Sequence, residues 1–125
     1  MRGLRRFSVW IPVVFYVAFI FWLSSAPRAA PPFLRWRGAD KLSHLAEYAP
    51  LGILLLRAFA RTFYFPSRRS LWILVFLAGL AIGGSDEFYQ AFVPTRTSSL
   101  WDLSADLIGV SVGQMIYGWK RARTP

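Results

Sequence analysis

The chain has 125 residues, a formal net charge of +9, 55% hydrophobic and 18% aromatic residues, and a mean hydropathy of +0.39. That is more apolar than an ordinary soluble domain and indicates one membrane-associated domain, residues 1–125. With no cysteine, disulfides and thiolate metal sites are excluded. The cations lie beside apolar runs, with no basic helix face, so nucleic acid is not the expected partner.

In chain order, Arg2, Arg5 and Arg6 form a basic lead. Residues 8–25 then read as a first helix, uncharged and close to the length that spans a bilayer. Pro12 sits near its start, where proline is tolerated best. A signal peptide is the rival reading, given the basic start and the small residues Ser24 and Ala26. The proline-rich stretch from Pro27 to Asp40 reads as a connection, with Arg35, Trp36 and Arg37 as an interfacial anchor.

A second helix is expected over 41–60, polar in its first half and apolar in its second, with a kink at Pro50. Arg57 can snorkel to the interface. Residues 61–69 read as a short basic loop. A third helix is expected over 71–92, and a fourth over 100–119 after a loop holding Pro94 and Arg96. The fold expected is all-α, a four-helix transmembrane bundle with the lipid bilayer as its first partner.

The positive-inside rule orients it. With the N-terminus in the cytoplasm, the inner side holds Arg2, Arg5, Arg6, Arg57, Arg61, Arg68, Arg69, Lys120, Arg121 and Arg123. The outer side holds only Arg28, Arg35, Arg37, Lys41 and Arg96. Both termini are therefore expected to be cytoplasmic.

In this orientation all six acids, His44 and Gln90 fall in the outward halves of helices two to four. At a rise of 1.5 Å per residue, Tyr48, Asp86 and Asp106 each lie about 10 Å below the outer helix ends. Spacings of three and four residues align Lys41, His44, Tyr48 and Gly52 on one stripe. Gly79, Gly83, Asp86 and Gln90 form a second, and Asp102, Asp106, Gly109 and Gly113 a third. Each is polar outside and small below, which lets membrane helices approach closely. An acid at mid-helix costs roughly 2.5–3.5 kcal/mol on insertion scales, so these acids must face one another, water or cations.

At these residues the chain resembles the VanZ-like family of membrane proteins, named for a teicoplanin-resistance protein. Asp40-Lys41-Leu42-Ser43-His44 with Glu47-Tyr48 and Leu51-Gly52 is similar to its first signature. Asp86-Glu87 with Gln90, Pro94 and Arg96 resembles the second, and Asp102 with Leu107, Gly109 and Gly113 the third. Phe21-Trp22-Leu23-Ser24-Ser25 is similar to the usual end of the family's first helix. Asp106 stands where the family pattern leads one to expect Asn, so an additional acid is present here. The resemblance implies an integral protein of the bacterial cytoplasmic (inner) membrane and a link to glycopeptide resistance; it implies no known reaction.

The polar site is thus expected to comprise Asp40, Lys41, His44, Glu47, Tyr48, Asp86, Glu87, Gln90, Arg96, Asp102 and Asp106. Three readings stand side by side. One is a buried salt-bridge and hydrogen-bond network that fixes helix register. A second is a site for a lipid-linked or cell-wall component, with Arg96 pairing to phosphate or carboxylate, or else to Asp102. The third is a membrane-embedded hydrolase or transferase using the carboxylate/His cluster as general base or metal site. No cofactor motif is evident and no HExxH occurs. If a divalent metal binds, carboxylate oxygens suit Mg, Mn or Ca, and the imidazole permits Zn. Tyr48 is more readily a residue packed against a neighbouring helix than a catalytic one. The small-residue pairs Gly79/Gly83 and Gly109/Gly113 serve either packing within the chain or dimerisation, leaving the oligomeric state open.

Overall fold

The computed structural model describes residues 2–26 and 38–123. The expected connection and its Arg35-Trp36-Arg37 anchor lie largely outside them. Helix α1 spans Arg2–Phe7, a single 3-10 turn Ser8–Trp10, and α2 Ile11–Ser25. Three longer helices follow: α3 Ala39–Thr62, α4 Arg68–Gln90 and α5 Leu100–Arg123. Among the described residues there is no β-strand.

Local chemistry accounts for the boundaries. Pro12 has no N–H to offer the carbonyl of Ser8 four residues back. The Ile11 N–H takes that carbonyl instead, which tightens the turn into 3-10 geometry. Gly38, at the N-cap of α3, has φ 100°, a left-handed conformation that glycine adopts without steric cost. Pro50 lies inside α3 yet the helix runs on through it. Close to it, the Glu47 carbonyl accepts the Tyr16 hydroxyl at 2.7 Å.

The basic connection is shorter than 61–69. Ser67 Oγ accepts the Ser70 N–H at 3.1 Å, and this cap draws Arg68 and Arg69 into α4. At its other end α4 stops at Gln90 rather than 92, because Pro94 disfavours helical backbone at Val93. Ser99 caps α5: its Oγ accepts the Asp102 N–H at 3.1 Å.

Helices α3 and α5 make the most extensive contact. Glycine makes it so close. A Cβ built on Gly52 would stand 2.2 Å from the Val110 carbonyl oxygen. One on Gly109 would stand 2.6 Å from Leu45 O, and one on Gly113 only 2.0 Å from Ala49 O. Gly79 and Gly83 give α4 the same access to α5, against Val110, Leu103 and Asp106. All five glycines therefore pack within the chain. Helix α2 covers α3 and α4, with Ile20 and Ser24 buried.

The molecule is inverted relative to a water-soluble bundle. Its surface carries large apolar side chains, among them Phe15, Trp22, Ile73, Phe88, Trp101 and Trp119. Its interior holds Ser24, His44, Asp86, Glu87, Gln90, Asp102, Asp106 and Gln114 beside a small core of Ile20, Tyr48, Leu51, Leu55, Val75 and Val110. Residues 8–25 and 68–90 are each long and apolar enough to cross a membrane. The acids lie towards one end, where α3 and α5 begin and α2 and α4 finish; Arg57, Arg61, Arg68 and Arg69 lie towards the other.

A buried acid–histidine centre as candidate functional site

Three helices bring side chains to one point. From α3, His44 is 1% exposed and its Nδ1 lies 2.8 Å from Asp106 Oδ1 on α5. The same nitrogen is 3.8 Å from Glu87 Oε1 on α4. Ligand atoms of His44, Glu87 and Asp106 all lie within 4.8 Å of one another. With Nδ1 held against Asp106, Nε2 is the ring nitrogen left for other partners. That nitrogen faces the exposed Asp40, with Oδ1 at 4.0 Å. Asp40, His44 and Asp102 form a second group of the same compactness nearer the surface.

Below this point Tyr48 and Asp86 are both fully buried. The Tyr48 hydroxyl donates to Asp86 Oδ2 at 3.2 Å, and Gln90 Nε2 donates to the same oxygen at 3.1 Å. Gln90 also reaches Ser24 Oγ on α2 at 3.1 Å, which ties the first helix to the centre. Tyr48 thus packs and hydrogen-bonds at once. Above, Lys41 pairs with Asp102, whose side chain is almost wholly covered. The Ser99 N–H donates to Glu87 Oε2 at 3.1 Å.

Three carboxylate oxygens are left over. Asp86 Oδ1, Glu87 Oε1 and Asp106 Oδ2 are buried and have no hydrogen-bond partner. A buried polar atom without a partner costs about 1–3 kcal/mol, more when charged. Among the described residues the centre therefore has an excess of acceptors and of negative charge: four buried acids, Asp86, Glu87, Asp102 and Asp106, face Lys41 and His44.

Two expected members stand apart from this core. Arg96 is turned to the end of α2: its Nη2 donates to Leu23 O at 2.6 Å and Ala26 O at 3.0 Å, and its Nε to Ala26 O at 3.1 Å. Asp102 takes Lys41 as its cation. Thr95, at φ 70°, makes the sharp turn just before Arg96. Glu47 is half-buried and belongs to neither compact ligand group. Conversely, Ser24 and Ser99 are members the sequence reading did not include. Ser99 could have been found from the Ser-x-x-Asp spacing of Ser99 and Asp102, a helix-start signal. No sequence signal pairs Ser24 with Gln90.

A large apolar exterior around an acid–histidine centre defines an all-helical membrane protein. The chain belongs to the VanZ/LLP1 family, whose profile matches residues 5–121. The resemblance carried by the three signatures thus extends to nearly the whole chain. No curated protein and no solved structure matched it.

Proposed function

We propose that this VanZ-type protein crosses the bacterial cytoplasmic membrane four times with both termini inside. Its acid–histidine centre opens to the outer face. There it binds a divalent cation and, through that cation, a polar part of a lipid-linked or cell-wall component. The observation that carries this reading is the set of three buried carboxylate oxygens without a donor. An acidic pocket repels a bare phosphate, and Arg96 already binds carbonyl oxygens at the end of α2. A cation reconciles the two: it satisfies the free oxygens and presents positive charge to the ligand. Hard oxygen donors with one imidazole favour Mg or Mn and permit Zn.

Protein stripped with chelator and titrated with Mn(II) tests the proposal. Asp106→Asn, the residue expected from the family pattern, removes a charged ligand oxygen and should weaken binding by at least the ~10-fold that loss of even an outer-shell partner costs. Equal affinity in the folded variant would refute a cation at this centre. Lipids copurified with and without metal then identify the envelope component, and teicoplanin susceptibility of cells expressing the protein tests the resistance link.

A second reading has its own observation. Asp106 orients His44 with Nε2 towards the exposed side, the arrangement of a general base and its positioning carboxylate. A hydrolase or transferase of this kind would lose turnover in His44→Gln while keeping its lipid.

A further inference from the structure

The opposite end of the bundle carries a cavity of about 420 Å³ between the end of α3, the start of α4 and the end of α5. Its walls include Leu56, Phe63, Tyr64, Leu71, Trp72 and Tyr117. Arg68 also lines it, with its guanidinium carbon 5.4 Å from the centre of the Trp72 ring. Gly118 makes this arrangement fit: a Cβ there would stand 2.6 Å from Arg68 Nη2 and 2.8 Å from Trp72 Cζ2. A smaller hollow beside it is lined by Arg68, Arg69 and Trp72.

Charge decides what fits. The chain has no acidic side chain between Glu47 and Asp86, and none after Asp106. Arg57, Arg61, Arg68 and Arg69 therefore share an end of the molecule that offers no carboxylate side chain. An anion for them must come from outside. Apart from Ser67 and Arg68 the walls are mainly apolar and aromatic side chains, so that anion should carry hydrocarbon. The volume is that of a small-molecule site.

We infer that this cavity binds one anionic phospholipid of the adjacent leaflet. Its phosphate sits between Arg68 and Arg69, and the start of an acyl chain lies along Leu56, Leu71 and Tyr117. The site is separate from the acid–histidine centre and does not depend on what that centre binds.

Native mass spectrometry in mild detergent, with phosphatidylglycerol and phosphatidylcholine offered in equal amounts, tests it. Wild-type protein should retain phosphatidylglycerol preferentially. Arg68→Ala and Arg69→Ala should each reduce that preference about fivefold, the effect of one basic side chain at an anionic lipid surface. Gly118→Leu keeps every charge but fills the cavity, and should release bound phosphatidylglycerol; circular dichroism checks that each variant remains helical. Equal retention of the two lipids by wild type would overturn the inference. So would an unchanged preference in the arginine variants, or retention in Gly118→Leu, which would mean diffuse surface attraction. Displacement by soluble glycerol phosphate at the same concentration would make this a site for a free anion and would also overturn it.

Discussion

Gly113→Ala is the sharpest test of the packing that holds the centre together. The added Cβ would stand 2.0 Å from the Ala49 carbonyl oxygen and 3.0 Å from Ile53 N, both backbone atoms that cannot rotate away. Ordinary contact begins near 3.4 Å, so α3 and α5 must part by roughly 1.4 Å at this level. Overpacking of this kind costs about 1–3 kcal/mol. Alanine's better helix propensity returns at most about 1 kcal/mol. Because the clash meets backbone, the upper end of that range applies and the net expectation is a loss of about 2 kcal/mol, read by unfolding in detergent. Gly84→Ala is the matched control, since nothing lies within 4 Å of its Cβ. It should be neutral or slightly stabilising. Because Asp106 and His44 face each other across the same pair of helices, Gly113→Ala should also weaken cation binding. A Gly113→Ala protein as stable as wild type would refute the close α3–α5 approach.

Lys41→Ala leaves the covered Asp102 carboxylate without its cation. The cost should fall between the ~1 kcal/mol of an exposed pair and the ~3–5 kcal/mol of a broken buried one. Lys41→Ala with Asp102→Asn should recover part of it, and an additive double mutant would show that the pair contributes nothing. The absence of native cysteine makes topology directly testable. Cysteines placed singly at the exposed Ser98 and Ser67 should react oppositely with an impermeant maleimide on intact cells, Ser98→Cys labelled and Ser67→Cys protected. Labelling of both, or of Ser67→Cys alone, would refute the proposed orientation.

Much of the fold was legible because the signals were strong and local. The long apolar run at 8–25, the acids at helical spacing on α3, α4 and α5, and the glycines below them correspond to elements and contacts in the structure. Helix ends were less legible. Ser67 draws two arginines into α4 through a single hydroxyl, and a count of basic residues hides that cap. Side-chain direction was least legible. The sequence brings Arg96 near Asp102, but it cannot show that the carbonyls at the end of α2 compete for the guanidinium, while Lys41 reaches Asp102 across two helices. Nor does spacing reveal that Glu87 joins a compact ligand group with His44 and Asp106 while Glu47 belongs to neither group.

The unpartnered oxygens also follow a rule of position. Asp40 and Asp102 lie in the first turns of α3 and α5, where a helix N-terminus favours negative charge. Asp86 and Glu87 lie at the end of α4, where the helix C-terminus opposes it. Neighbouring donors satisfy one oxygen of each: Tyr48 and Gln90 at Asp86, and the Ser99 N–H at Glu87. Two of the three unpartnered oxygens, Asp86 Oδ1 and Glu87 Oε1, thus lie at the end of α4; the third belongs to Asp106 on α5. Glu87→Gln separates the two consequences. Its amide oxygen can still accept from Ser99, while the opposed charge disappears. The metal-free protein should gain about 1 kcal/mol of stability, the scale of a carboxylate's interaction with a helix end. Cation affinity should fall in the same variant, since a charged donor is lost. Unfolding in chelator and Mn(II) titration on one preparation measure both. A variant that is less stable without metal, or that binds Mn(II) as tightly as wild type, would show that Glu87 is held by its neighbours alone and not kept for a cation.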